Sequence, residues 1–329
     1  MKCKYNLKMI YIKYLLLILL VLIVLKFVRK KYKKYKKIHE KNGFDGIYYY
    51  FLNKNIKKSG LNNFIDKKKN TLGKTISNYS KQKILYGPYK NTKVINSFSW
   101  SSTDSASKYL GIYESQIQEK IIQLTKKFKL KFFVDLGAAE GYHLISLIKK
   151  NFFLKGFAFE IDKQSRAILK RNASVNKITN KIKIFSKAEF ESMKKILNKR
   201  QFNKALFLVD IEGHEFNLFN KKFCSFFSNS YFIIEDHSFN EKSKKKRNNF
   251  YKIVKKYFKV EIIKDNAKNP FNYKILDPFT DDEKYLMMSE GRPETMQWLI
   301  LYPKKNNFKL EPRHDKKKNH FIHSQRSKN

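Results

Sequence analysis

The sequence reads as an α/β protein built on a mostly parallel sheet, and three observations predict it. Phe132 to Lys149 passes from an apolar run (Phe132, Phe133, Val134) through Asp135, Gly137 and Gly141 into an apolar-periodic segment (Leu144, Ile145, Leu147, Ile148), which is strand, glycine turn, helix. Beyond it, strand-like and helix-like stretches alternate, the pattern of a parallel sheet with helices on both faces. Acids stand at the strand ends: Asp135, Glu160, Asp210 and Glu235. In an open α/β sheet those carboxyl ends share one edge, and ligands bind there.

The elements follow in chain order. Tyr14 to Leu25 is uninterrupted apolar sequence. With its flanks, 9–28, it reaches about 20 residues, the length of a bilayer span. No small-residue cleavage site follows, so an uncleaved N-terminal transmembrane helix is expected rather than a signal peptide. Basic residues are denser after the span (Arg29, Lys30, Lys31, Lys33, Lys34, Lys36, Lys37) than before it. This predicts a single-pass membrane protein with its body in the cytoplasm and its basic flank on anionic lipids. Residues 29–83 read as a basic juxtamembrane linker with short helical pieces. Residues 84–303 form the domain, opening with a hairpin over Ile84–Ser99 about the Gly87-Pro88 turn. A helix over Tyr109–Phe128 carries Ile117, Ile121, Leu124 and Phe128 on one face. Strands at Lys155–Ile161, Lys181–Phe185, Ala205–Asp210 and Tyr231–Glu235 are followed by helices at Lys163–Val175, Glu189–Leu197, His214–Phe226 and Glu241–Phe258. Val260–Ile263 and Met296–Tyr302 are the last strands, separated by a long insert over 265–295. The basic tail, 304–329, is expected to be disordered.

The chain has 329 residues, 42% of them hydrophobic, and a formal net charge of +43. Its lysines are spread along the whole sequence, whereas a nucleic-acid footprint gathers on one face. The two cysteines, Cys3 and Cys224, give neither a disulfide framework nor a metal-type spacing.

The turn D-L-G-A-A-E-G departs from the dinucleotide fingerprint, because Ala139 stands where a pyrophosphate needs glycine. A strand-terminal acid followed by G-x-x-x-G looks instead like the first motif of class I S-adenosyl-L-methionine methyltransferases. Glu160 ends the next strand, where a carboxylate can accept both hydroxyls of a ribose. Asp210-Ile211-Glu212-Gly213-His214-Glu215 and Glu235-Asp236-His237 bring further acids and two histidines to the same edge. Asp210, His214 and His237 are candidates for a base that takes a proton from an attacking hydroxyl. The same cluster has the chemistry of a divalent-metal site, without diagnostic spacing, and no metal is assigned. A structural role in starting the next helix accounts for Glu212, Gly213 and Glu215 equally well.

Taken together, DLGAAEG, FEID at Phe159–Asp162, VDIEGHE at Val209–Glu215 and IIEDH at Ile233–His237 resemble the FkbM family of methyltransferases, over residues 109–303. Leu110–Glu114 and Arg292–Leu299 also look like segments of its relatives. The resemblance implies a Rossmann-like class I methyltransferase sheet of seven strands, the last antiparallel. It implies S-adenosyl-L-methionine as cofactor and O-methylation of a hydroxyl on a sugar, polyketide or similar acceptor. It places Asp135, Gly137, Ala138 and Gly141 around the methionine part of the cofactor, Glu160 on its ribose and Glu189 near its adenine. With the expected anchor, the reading is a membrane-anchored methyltransferase acting on a glycan or lipid-linked acceptor. The insert is expected to close over that acceptor, with Arg292 on an anionic group. An RNA methyltransferase and a non-catalytic membrane-tethered scaffold are the alternatives.

Overall fold

A computed structural model describes residues 25–36, 38–40, 61–95, 102–292 and 295–304. Contacts divide the chain into two units, Met1–Lys67 and Lys68–Asn329, and the second contains the sheet. Within the first unit, residues 25–36 form helix α1 and expose Leu25, Phe27 and Val28.

The sheet has seven strands in the order β3-β2-β1-β4-β5-β7-β6. They are β1 Phe132–Leu136, β2 Lys155–Phe159, β3 Ile182–Phe185, β4 Ala205–Val209, β5 Tyr231–Glu235, β6 Phe258–Lys264 and β7 Gln297–Pro303. The first five pair in parallel, while β7 runs antiparallel to both β5 and β6. This is the sheet that the resemblance implies. β1 is buried on both faces, as befits a strand covered by helices on either side. The order reverses at β1, where β2 lies on one side and β4 on the other. The crevice between their carboxyl ends is therefore the place for a ligand.

Two apolar layers sandwich the sheet. One packs Leu72 and Ile76 of α2 (Leu61–Tyr79), with α3 (Ser105–Leu110), α4 (Ser115–Phe128), α5 (Tyr142–Lys149) and α6 (Lys163–Val175), against Phe133, Leu206 and Ile233. The other is dominated by phenylalanine: Phe207, Phe219, Phe223, Phe227, Phe232, Phe250 and Phe258 are all essentially inaccessible. It gathers α7 (Phe190–Met193), α8 (Lys199–Phe202), α9 (Glu215–Leu218), α10 (Lys221–Phe226) and α11 (Glu241–Tyr257). Offset and edge-to-face ring pairs, such as Phe207 on Phe232 at 4.8 Å, add to the burial that holds this layer.

Several expectations are corrected. No helix among the described residues is long and apolar enough to cross a membrane. This overturns the transmembrane helix over 9–28, and the single-pass membrane placement falls with it. Residues 25–28 lie in α1, and 9–24 lie outside the described residues. Part of the linker forms the 19-residue helix α2. The hairpin over 84–99 reduces to one antiparallel bridge, Lys83 to Lys93, and 96–99 lie outside the described residues. The helix over Tyr109–Phe128 is two helices, because Gly111 and Glu114 both adopt left-handed conformations, φ 79° and 48°. A Cβ at Gly111 would fall 2.1 Å from the Tyr86 carbonyl. The backbone approach that breaks the helix therefore admits only glycine. The insert is ordered around two 3-10 turns and α12 (Asp281–Met288), which buries Met287 and Met288. Of the tail, 305–329 lie outside the described residues.

Candidate active site at the carboxyl edge of the sheet

β1 delivers Asp135 to the edge, and the glycine turn wraps over it. Gly137 has φ 86°, and a Cβ there would sit 1.7 Å from the Asp210 carbonyl. The ends of β1 and β4 can close on each other only because residue 137 has no side chain. Ala139 is also left-handed, φ 46°. What holds it is Glu160, whose carboxylate accepts from the Ala139 N–H at 2.8 Å and from the Asp162 N–H at 2.7 Å. Glu160 is thus a buried bracket on the turn, with two of its roughly four lone-pair sites used.

Beside the turn lies a small pocket of about 50 Å³, lined by residues that include Lys108, Glu114, Asp135, Gly137, Asp210 and Trp298. Its chemistry is acidic. Burial pushes the Asp135 carboxyl up to about 7, and Glu160 and Glu114 add to the shift against His143. The Asp210 carboxyl is likewise pushed well above the usual range by burial and by Glu235 and Glu114. Asp210 Oδ1 is buried, takes no hydrogen bond among the described residues and stands 3.4 Å from His237 Nε2.

Glu114 is the hub. One oxygen meets His143 Nε2 at 3.0 Å, and His143 Nδ1 in turn meets the Tyr89 hydroxyl at 3.0 Å. The other accepts from Arg292, whose guanidinium also binds Glu235 and Glu290. The Glu114 N–H donates to Glu290 at 3.0 Å. Burial raises the Glu114 carboxyl, but the His143 hydrogen bond and the Arg292 charge outweigh it and bring it down to about 2. Glu235 touches the same guanidinium yet is shifted upward, because burial and the neighbouring Glu114 prevail there. Three acids thus share the Arg292 guanidinium, and Glu290 pairs with Lys268 as well. Arg292 is therefore engaged by carboxylates, which corrects its expected place on an anionic group.

At the end of β5, His237 is set by Glu215. Its Nδ1 lies 3.2 Å from Glu215 Oε1, and its backbone N–H donates to the same oxygen at 3.3 Å. Glu215 Oε2 accepts from the Gly213 N–H at 2.9 Å, which ties the Glu212-Gly213 turn to this anchor. His237 Nε2 then faces Asp210, with Glu235 at 3.6 Å and Glu212 at 3.7 Å. Burial alone would lower the imidazole pKa, but Glu215, Glu235 and Glu212 together raise it. Asp210, Glu212 and His237 each offer one ligand atom, all within 4.8 Å of one another, a spacing suited to a divalent cation.

The candidates named from sequence divide accordingly. Asp135, Gly137, Ala138 and Asp210 line the pocket. Gly141 caps α5 with φ 84°. His237 faces Asp210, whereas His214 is exposed at the start of α9. Glu189 is exposed and paired with Lys187 at 2.8 Å, outside the pocket lining. The sequence missed Lys108, His143 and Trp298, and it gave Glu114 no role beyond its place in the Leu110–Glu114 segment. The signal for Glu114 was its place in the LGIYE segment.

No protein-family model and no curated protein matches the chain. Solved structures resemble it distantly. An O-methyltransferase from Bacillus cereus in complex with SAH matches at TM-score 0.40 and 9% identity, over 57% of this chain and 80% of that one. The precorrin-6y C5,15-methyltransferase of Geobacter metallireducens matches at 0.37 and 11%, over 57% and 88%. The precorrin 8W decarboxylase of Methanobacterium thermoautotrophicum matches at 0.38 and 14%, over 57% and 89%. Likeness at this level assigns neither a reaction nor a residue. The FkbM resemblance stays with the four motifs that carry it.

Proposed function

We propose that the chain is an S-adenosyl-L-methionine-dependent methyltransferase that methylates a hydroxyl of an acceptor such as a glycan. The observation that carries this reading is the gathering of acidic side chains at the carboxyl edge. Glu114, Asp135, Asp210 and Glu235 converge there against Arg292. Such a set favours a cationic ligand, because a nearby opposite charge stabilises each carboxylate. The cofactor brings a sulfonium and an ammonium to a turn that already carries its first sequence motif. Asp135, Gly137 and Ala138 would hold its amino-acid part, and the remaining lone pairs of Glu160 would take the ribose hydroxyls. When bound, the cofactor supplies an electrophilic methyl group.

The chain's own residues provide the rest. With Nδ1–H donated to Glu215, His237 presents Nε2 as an acceptor toward Asp210. An acceptor hydroxyl brought within hydrogen-bond reach of Nε2 would lose its proton there. Asp210 then steadies the imidazolium. Positioning of the two reactants supplies most of the acceleration. His237 must be neutral to act, so the rate rises with pH through a pKa above the ordinary histidine value.

Calorimetric titration of S-adenosylhomocysteine into the full chain tests the reading. Binding is expected, weakened about tenfold or more in Glu160→Ala through lost hydrogen bonds to a charged group. A folded protein with no affinity for either S-adenosylmethionine or S-adenosylhomocysteine would overturn it. Methyl transfer that survives unchanged in His237→Gln would remove the proposed base and leave the cofactor in place.

A further inference from the structure

The basic helix α11 runs beside β6, the last strand of the sheet, and a groove of about 740 Å³ is formed by the two. That volume is in the range of small-ligand sites. Arg247, Tyr251, Lys252 and Lys255 line it from α11, and Val260 and Ile262 of β6 add apolar surface. No acid is among its lining residues. Lys252 and Lys255 are exposed. Arg247 is set differently. Both hydrogen bonds of its guanidinium come from Nη1, to Asp236 Oδ2 and to Ser238 Oγ, each at 3.0 Å. The Asp236 side chain is fully buried, so the guanidinium is held firmly. Its Nε, however, is buried with no hydrogen-bond partner among the described residues. A buried N–H left unmet costs stability unless a ligand meets it. The groove also borders the candidate active site. Gln297 lines the groove, and Trp298, the next residue, lines the pocket beside the glycine turn. Asp236 and Ser238, which hold Arg247, flank His237 in the chain.

The carboxyl edge gathers acids, and the groove next to it gathers cations. We infer that the groove takes the oxyanion substituents, carboxylate or phosphate, of a glycan acceptor whose reacting hydroxyl lies at His237. The Nε–Nη2 edge of Arg247 presents two parallel N–H groups, the geometry that fits such a group. Lys252 and Lys255 meet further charges as mobile ammonium heads. This rests on the methyltransferase reading above and adds to it the charge class of the acceptor. Nucleic acid also carries phosphates, but a single strand needs aromatic platforms on which its bases stack. Tyr251 is the one aromatic residue in the lining. Its ring already lies under Arg247, at 5.9 Å, and under Lys255, at 5.5 Å. The groove therefore favours an acidic saccharide over a nucleic acid.

Trigalacturonate and glucose 6-phosphate are titrated calorimetrically into the full chain, each beside its neutral counterpart, the trigalacturonate methyl ester or glucose. A short oligouridylate and S-adenosylhomocysteine are titrated into the same samples. In the parent, at least one acidic saccharide is expected to bind about tenfold or more tightly than its counterpart, the range of one charge-assisted hydrogen bond. Arg247→Lys keeps a cation on Asp236 but gives up the paired N–H edge, and it should lose about tenfold for the acidic ligand alone. Lys252→Gln/Lys255→Gln, at exposed positions, should lose about threefold or more and weaken the salt dependence. S-adenosylhomocysteine should bind both variants as it binds the parent. A parent that binds S-adenosylhomocysteine but does not distinguish acidic from neutral saccharides would overturn the groove assignment and leave the cofactor reading intact. Discrimination that persists undiminished in both folded variants would do the same. Oligouridylate bound more tightly than either acidic saccharide would make the groove a nucleic-acid site and overturn the glycan assignment. A folded parent that binds an acidic saccharide but not S-adenosylhomocysteine would overturn the methyltransferase reading instead, and the groove would stand as a saccharide site.

Discussion

Replacing Arg292 with glutamine removes the one guanidinium that joins Glu114, Glu235 and Glu290. Each of these acids has a side chain only 4% exposed, and that of Arg292 is 17% exposed. Breaking a buried pair by removing one partner costs about 3–5 kcal/mol, because the remaining charges lie uncompensated in a medium that cannot solvate them. The Glu114 carboxyl gives a second measure. Its displacement from the ordinary 4.5 to about 2 corresponds to roughly 3 kcal/mol in favour of the folded state. His143 supplies part of that, so the lower end of the range is the expected loss. The pKa is depressed on folding. The stabilisation is therefore complete above the unfolded value, near 4.5, and disappears as the pH falls toward 2. Urea denaturation at pH 7 reads the effect directly. With a slope of about 2 kcal/mol per molar, the midpoint of Arg292→Gln should drop by at least 1 M. Glu114→Gln added to it should recover part of the loss, since the pair is coupled. A loss below about 1 kcal/mol in the single variant would mean that the guanidinium does not neutralise the acidic edge, and the charge argument would fail.

Three further outcomes are expected. The Asp135 carboxyl is raised to about 7, so the folded chain holds an extra proton between about 3.8 and about 7, and this group's contribution falls as the pH climbs through that window. Asp135→Asn should therefore gain stability relative to the parent from pH 4 to pH 8, on the order of 4 kcal/mol at most. A difference in urea midpoints that stays constant with pH would count against it. Gly137→Ala places a methyl 1.7 Å from a backbone carbonyl, whereas Gly213→Ala meets nothing within 4 Å although its φ is 89°. The second should cost only the left-handed penalty of about 1–2 kcal/mol, and the first clearly more; equal midpoints would refute the close approach of β1 and β4. Burial depresses the His237 imidazole while Glu215 and its neighbours raise it. Glu215→Gln should shift the ring's proton resonance titration to lower pH, and an unmoved titration would show that Glu215 does not set it.

β1, β2, β4 and β5 were legible because each is a short apolar run with an acid at its end, and β1 through β5 fall at the expected places. The Asp210 and His237 pairing followed once those strands were put in parallel. The rest depended on long-range contacts that leave no periodic trace. Lys108 sits in a helical pattern and reads as a solvated residue, yet it is buried because Glu140 comes to meet it from 32 residues away. Glu114 reads as the ordinary start of a helix. Only the approach of Gly111 to the Tyr86 carbonyl turns the chain so that Glu114 faces the site. His214 and His237 are equivalent in sequence terms, each beside a strand-end acid, and the difference lies in Glu215, which anchors only the latter. The apolar N-terminal run met the length criterion for a span, and no described helix matches it.

The clasp around Arg292 also bears on the order in which the chain folds. Glu114 precedes β1, Glu235 ends β5, and Arg292 comes just before β7, with 178 positions between the first and the last. Non-local closures of this kind form late, because the entropy of a long loop must be overcome before the contact returns anything. During synthesis, the acids of the carboxyl edge emerge well before the guanidinium that gathers them. Until β7 takes its place between β5 and β6, Arg292 is not positioned to pair with those acids. The pocket is consequently the last part of the sheet to close.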